Sequence, residues 1–341
     1  MGTVKDGSNM RSKMKDVAQK AGVSTATVSH VINGTRYVSE NTKKKVYQAM
    51  RDLNYSPNFV ARSLRSSSSK TIGLIIPAKE MDTSGFFFMS IAHSIEKKLK
   101  EIGYQLILSN SNEEIENEIQ QINMFKNQMI DGLIMAPTFG DHSYLKEFED
   151  QLPIVFIDRK PEGIDCDCVL VDNFKGTYEA MNHLIHKGHQ RIGYISGPLG
   201  LTTSDERLRG YKHALLENNL QVDESMIVID EASLEAGKNA MAFLLEQSKC
   251  TAVMIGNNIL TLGSVVTLNK SKIKVPEQMA VIGYDNYEWT EATNPPLTII
   301  KQPIHEIGEK AAELLLARLE NPQKESSRVS LPSSLEIRRS C

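Results

Sequence analysis

Between Ser24 and Asn33 the chain sets Thr25, Ala26, Thr27, Ser29 and His30 around an apolar stripe of Val28, Val31 and Ile32, spaced three and four apart. Short polar or methyl-bearing side chains let a helix sink into the major groove of DNA, so the chemistry is hydrogen-bonded reading of base edges. For His30 a purine edge and a phosphate are both open as partners. A second set is scattered through the rest of the chain. Asp158-Arg159 pairs a carboxylate with a guanidinium, suited to vicinal hydroxyls or a phosphate and equally able to stand as a surface ion pair. Arg207 offers a rigid fork for a carboxylate or two sugar oxygens. Asp285 supplies another carboxylate and Thr203 a hydroxyl. Phe86, Phe87 and Phe88 can stack on the flat face of a sugar or base, or fill a core or a dimer face.

None of these sets builds a catalyst. His183, His186 and His189 recur every third residue, but at that spacing they lie along one helical face near Lys187-Gly188, where the helix dipole favours cations. No carboxylate cluster accompanies them, so no metal site is expected. Neither a Gly-x-Ser-x-Gly elbow nor a GxxxxGK phosphate loop occurs, and no enzyme activity or cofactor is expected. Cys166 and Cys168 flank Asp167, while Cys250 and Cys341 stand alone, a spacing that reads as incidental thiols.

The base-reading face requires a helix-turn-helix. Lys15 to Ala21 and Ser24 to Asn33 are amphipathic, Gly22-Val23 makes the corner, Ser24 is an N-cap, and Asn33-Gly34 is a stop. Asn41 to Leu53 adds a third helix, giving a domain over residues 13–56. Ser56-Pro57 then opens a short helical segment, Asn58 to Leu64, inside a hinge and linker over 57–70. Alone it is too short to hold, but two copies facing each other on DNA could fold together. Ala61 permits close approach, Leu64 can wedge between base steps in the minor groove, and Arg62 and Arg65 can meet phosphates.

The series Asp16-Val17-Ala18, Ala21-Gly22-Val23-Ser24, Thr27-Val28-Ser29, Val31, Asn33-Gly34, then Tyr55, Pro57-Asn58, Ala61-Arg62 and Leu64 resembles the lactose-repressor (LacI/GalR) family almost without a break. The resemblance adds Tyr55 and Asn58 to the DNA-binding set. It also implies a homodimer on a near-palindromic double-stranded operator, with hinge helices that respond to a small molecule bound elsewhere.

Charge supports a DNA-binding head. Residues 1–70 hold 13 Lys+Arg against 4 Asp+Glu, a balance of +9 that leaves −12 for the remainder of a chain with net charge −3. No run of apolar residues reaches membrane-spanning length and no apolar secretory core opens the chain, so a cytoplasmic protein is expected. Residues 1–12 are polar and without periodicity, and read as a disordered tail.

After the Ser66 to Lys70 linker, short apolar runs alternate with amphipathic helices: Ile72 to Ile76, Gln105 to Leu108, Gly132 to Ala136, Ile154 to Ile157, Cys168 to Val171, Ile192 to Ile195, Met226 to Ile229, Ala252 to Ile255, Met279 to Ile282 and Leu297 to Ile300. Such runs are parallel strands covered on both faces, so the body is α/β and doubly wound, in two lobes. The resemblance implies the fold of periplasmic sugar-binding proteins, with ligand in the cleft. Lobe 1 is expected over 71–172 and 302–328 and lobe 2 over 173–301 and 329–341, with the last crossover near Pro322 to Leu331 and a final strand from Ser333 to Ile337.

Ligands of open sheets bind beyond the carboxyl ends of strands. That rule, with the family pattern, selects Phe87, Phe88, Asp158, Arg159, Thr203, Arg207, Asn257, Asn258, Asp285 and Gln302 as effector contacts. The family usually carries Asn-Asp where this chain has Asn257-Asn258. A sugar is the leading effector, with a sugar phosphate or a purine open, because Asp158-Arg159, Arg207 and Asp285 supply many hydroxyl partners and the only Trp, Trp289, lies just beyond Asp285. Two alternatives stand beside the DNA-binding repressor: a cytoplasmic small-molecule-binding protein without a DNA role, and a regulator controlled by a protein co-effector. No apolar heptads follow Glu336, so a dimer is expected and no larger assembly.

Overall fold

The computed structural model describes residues 12–55, 68–79, 84–148, 151–247 and 249–341, and the chain divides into two compact units, 1–69 and 70–341. In the first unit α1 (Met14–Ala21), α2 (Thr25–Asn33) and α3 (Glu40–Asp52) enclose Val17, Val28, Val31, Val46 and Ala49. Gly22 and Gly34 end α1 and α2 at φ 68° and 65°, left-handed backbone that glycine takes without steric cost. Ser24 and Ser39 cap α2 and α3 by accepting from the Thr27 and Thr42 N–H groups. The expected tail over residues 1–12 falls almost wholly outside the described residues, but Ser12 is anchored, its hydroxyl donating to the Leu53 carbonyl at 2.9 Å. The expected hinge helix, with Asn58, Ala61, Arg62 and Leu64, also lies outside them.

The second unit contains two six-stranded sheets. Strands β1 (Thr71–Ile76), β2 (Gln105–Asn110), β3 (Gly132–Met135), β4 (Ile154–Ile157), β5 (Asp167–Val171) and β11 (Arg328–Leu331) form the first, in the order β11-β5-β4-β3-β1-β2. The second holds β6 (Ile192–Ser196), β7 (Ile227–Ile229), β8 (Ala252–Ile255), β9 (Ala280–Tyr284), β10 (Thr298–Lys301) and β12 (Ser334–Glu336), in the order β12-β10-β9-β8-β6-β7. All neighbours are parallel except β10 and β12. Central strands are buried on both faces, the pattern of a sheet covered by helices on each side.

Helices α4 (Ser84–Glu101), α5 (Ile115–Asn127) and α11 (Ile304–Glu320) belong to the first lobe. The second carries α6 (Asn173–His186), α7 (Thr202–Glu217), α8 (Leu234–Gln247), α9 (Asn258–Lys270) and α10 (Glu288–Ala292). The chain passes between lobes at Asp172-Asn173, Gln302-Pro303 and Pro332-Ser333. Among the described residues no helix is long and apolar enough to cross a membrane.

Two expectations change. The stretch Pro322 to Leu331, read as a crossover, contains β11 paired in parallel with β5, so lobe 1 continues to Leu331 rather than stopping at 328. As an edge strand with only Leu331 buried, it shows no continuous apolar run. The three histidines do not share a helix: α6 ends at His186, and His189 lies past Gly188, bonded to Thr251 Oγ1.

Candidate functional site

On α2, Thr25, Ala26 and Asn33 are exposed, and Thr27, Ser29 and His30 are half-buried beside the core residues Val28 and Val31. Several of these polar groups also hold one another. Ser24 is occupied as the cap and by Thr27 Oγ1 at 2.9 Å, Asn33 Nδ2 donates to Ser29 Oγ, and His30 Nδ1 pairs with Thr35 Oγ1 at 2.8 Å. Thr25 and Ala26 are the freest for a base edge. Tyr55 packs half-buried against the helical core, and burial pushes its phenol up. The loop after α2 presents Tyr37, 95 % exposed beside Arg36, which sequence reading passed over.

The ten residues selected for the effector all line one cavity of about 340 Å³ between the two sheets, at the carboxyl ends of their strands. Phe87 and Phe88 serve twice, facing the cavity and packing in the lobe 1 core with their rings edge to face. Phe86 is elsewhere: it is mostly exposed, its ring against Tyr287.

Asp158 and Asp285 occupy equivalent places, each directly after the third strand of its sheet, β4 and β9. Both are left-handed, at φ 64° and 66°, and both donate their backbone N–H to the adjacent strand, at Val169 and Ile300. Holding a non-glycine residue there costs about 1 kcal/mol and aims each side chain off the strand end. Burial pushes both carboxyls above the usual range. Arg159 and then Arg207 oppose this at Asp158, and the Gln302 bond and Arg207 oppose it at Asp285.

Arg207, projecting from α7, is buried. Its Nε donates to Asn173 Oδ1 at 2.8 Å, its Nη1 to the Gly256 carbonyl at 2.7 Å, and its guanidinium lies 3.7 Å from the Tyr284 ring centre. Tyr284 donates to the same Asn173 oxygen at 2.9 Å, and burial pushes its phenol up to about 12. Asp285 accepts from Gln302 Nε2 at 2.7 Å and Asn258 Nδ2 at 3.0 Å. The neutral Asn258 therefore acts as a donor to a carboxylate, a bond that an ionised Asp there could not make. Asn257 caps α9 through its side-chain oxygen. Thr203 is buried on the cavity wall.

On the opposite wall Arg159 donates through Nη1 to Glu113 at 2.6 Å and to the Pro137 carbonyl at 3.1 Å, with Asp158 3.6 Å from its Nε. Glu113, Phe139 and Lys79 were not selected from the sequence, although they follow β2, β3 and β1 and so obey the rule that found the others. Asn173 and Tyr284 carry no such signal, because their role is to hold Arg207 from behind.

A model of the bacterial regulatory proteins of the lacI family matches residues 13–58, and one of periplasmic binding protein-like domains matches residues 181–341. The transcriptional repressor PurR of Klebsiella pneumoniae subsp. pneumoniae is 38% identical over 332 residues, 96% of each chain. PurR of Mannheimia succiniciproducens is 37% identical over 331 residues, 96% of this chain and 98% of its own. Among solved structures, the lac repressor dimer bound to operator and the anti-inducer ONPF aligns with TM-score 0.84 at 28% identity, over 96% of this chain and 98% of that one. The complex of the transcriptional regulator CelR with cellobiose aligns with TM-score 0.73 at 30% identity, over 97% and 100%. The chain belongs to the lacI family of bacterial regulatory proteins: it is not an enzyme but a sequence-specific DNA-binding repressor under allosteric control by a small-molecule effector.

Proposed function

We propose that this repressor works in the cytoplasm as a homodimer on a near-palindromic operator, and that the cavity between its lobes takes a sugar or sugar derivative. The observation that carries the effector reading is the placement of Arg207, Asp158, Asp285, Asn258 and Gln302 around one cavity walled on one side by phenylalanines. All three cavity rings, Phe87, Phe88 and Phe139, come from lobe 1, while lobe 2 faces them with Leu201, Ala232 and polar groups. A planar base is therefore not sandwiched between rings, whereas a pyranose or furanose can lay one face on an aromatic wall and point its hydroxyls at carboxylates, amides and a guanidinium.

In each protomer α2 enters a major groove, with Thr25, Ala26, Ser29 and His30 toward the bases. Leu64, in the hinge, pries open a central step, and effector binding shifts the hinge equilibrium. The test is a thermal-shift screen of the full chain against sugars, sugar phosphates and purines, with hits carried into an operator titration. A sugar that shifts both melting and operator affinity, and is lost in Asp285→Asn, supports the reading. A purine that binds instead overturns it.

A further inference from the structure

Phe139 differs from the other cavity rings. Phe87 and Phe88 are buried, whereas Phe139 lines the same cleft and stays 48% exposed, at its mouth. Its ring rests on the opposite lobe: a Cβ built on Gly200 would lie 2.8 Å from Phe139 Cε2. Gly200 also has φ 90°, backbone that favours glycine, and a side chain there would have to displace the Phe139 ring. Lys160 N–H donates to Thr202 Oγ1 at 3.3 Å, a second bridge between the lobes.

The loop that carries Phe139 is held by acids from its own lobe. Thr138 N–H donates to Glu118 Oε2 at 2.8 Å, Phe139 N–H donates to Glu113 Oε1 at 2.9 Å, and the Tyr144 hydroxyl donates to the other oxygen of Glu118. Glu118 is wholly buried on α5 and does not line the cavity, so its hydrogen bonds go to this loop and to Tyr144. We propose that Phe139 is the closing element of the effector cleft, a ring carried by lobe 1 and seated on Gly200 of lobe 2, and that Glu118 is the residue that positions it. The consequence for effector entry rests on the reading of the cleft given above; the closure itself does not need a ligand.

Burial pushes the Glu118 carboxyl up to about 7, against the hydrogen bonds from Tyr144 and Thr138. The titratable groups around it are Tyr144, Glu113 with its partner Arg159, and His142 and Asp141 on the loop after β3. The rise comes from burial, so the protonated carboxyl contributes to the folded state fully below its ordinary pKa and that contribution is lost as pH rises through about 7, while the Thr138 bond that holds the loop favours the ionised form.

Hydrogen–deuterium exchange of the ligand-free full chain tests this. Gly200→Ala is expected to raise exchange several-fold across residues 138–142 in lobe 1, and Phe139→Ala to raise it across 199–203 in lobe 2, with β1 and β6 unchanged. Glu118→Ala frees the 138–142 segment and Glu118→Gln restores it. Substitutions that perturb only their own lobe, or unchanged exchange of the 138–142 segment in Glu118→Ala, overturn the proposal. Cross-lobe exchange effects in a protein whose cleft binds no small molecule would sustain the closing element and remove the effector reading.

Discussion

Arg207→Ala removes the group on which the cleft converges. The substitution strips the Gly256 carbonyl of its 2.7 Å donor, takes one of two donors from Asn173, and withdraws the cation stacked on Tyr284. An orphaned buried carbonyl costs about 1–3 kcal/mol, and removing one member of a buried charged set costs about 3–5 kcal/mol. Water entering from the cleft rehydrates part of what is exposed, so the net loss is about 3 kcal/mol. With a urea slope of roughly 3 kcal/mol/M, the unfolding midpoint of the body falls by about 1 M.

The deficit also depends on pH. Arg207 helps hold the Asp158 and Asp285 carboxyls down, so without it both rise further. A carboxyl raised by folding stabilises in acid and loses that contribution as pH increases, so the deficit should be larger at pH 8 than at pH 5. Arg207→Lys keeps the charge but cannot reach Asn173 and Gly256 together or stack flat on Tyr284, and effector affinity should fall about thirtyfold, or 2 kcal/mol. Urea titrations at the two pH values and calorimetry with the effector from the screen measure these effects. Stability within 1 kcal/mol of the parent for Arg207→Ala, or undiminished affinity for Arg207→Lys, would refute the argued role of the fork.

Ser24→Ala removes the cap of α2 and should lower the stability of the head by about 1 kcal/mol, read as an earlier helical melting transition by circular dichroism. Gly237→Ala sets a methyl 2.5 Å from the Leu260 carbonyl oxygen between α8 and α9 and should destabilise lobe 2 by about 2 kcal/mol in urea. His30→Ala should weaken the operator more than random duplex in gel-shift titrations, by about tenfold; an equal loss on both identifies a phosphate contact instead. Asn173→Ala should leave effector binding within about tenfold but reduce its influence on operator affinity toward zero, measured as the ratio of operator Kd values with and without effector.

Ten strands were legible because parallel strands covered by helices appear as unbroken apolar runs, with β1, β3 and β8 buried throughout or nearly so, and an eleventh, β12, through the family resemblance. The edge strand β11 was hidden because Arg328 and Ser330, both exposed, interrupt its apolar run, whereas the edge strands β2 and β7 keep theirs. The head was legible for a different reason: Ser24, Gly22 and Gly34 are local signals that do not depend on packing. In the cleft, Asp285 was legible as a carboxylate directly after β9, and Arg207, which lies on α7 well past the end of β6, through the family pattern. Glu113 and Phe139 occupy comparable loops, but an isolated glutamate or phenylalanine is unremarkable until Arg159 is seen 2.6 Å from the one and Gly200 beneath the other. Glu118 is least legible, an acid in a helix that becomes significant only because it is buried.

The two sheets repeat one order, and that repetition sets matching groups on either side of the cleft. Asp158 and Asp285 stand at matching strand ends with matching left-handed backbone, yet their surroundings have diverged. Asp158 faces Arg159 within its own lobe, while Asp285 is held by Gln302 at the second crossover. Arg207 is held by Asn173 at the first crossover. Arg207 and Asp285, the proposed recognition groups of lobe 2, are thus each bonded to a residue at a crossover between the lobes. On that proposal a ligand that shifts either side chain would act on a crossover directly, with no wire of intervening residues. Under the proposed effector reading, Phe87, Phe88 and Asp158 would approach the ligand from one lobe and Arg207 and Asp285 from the other, so a ligand that bridges them would favour one separation of the lobes, the difference in contacts that allostery requires.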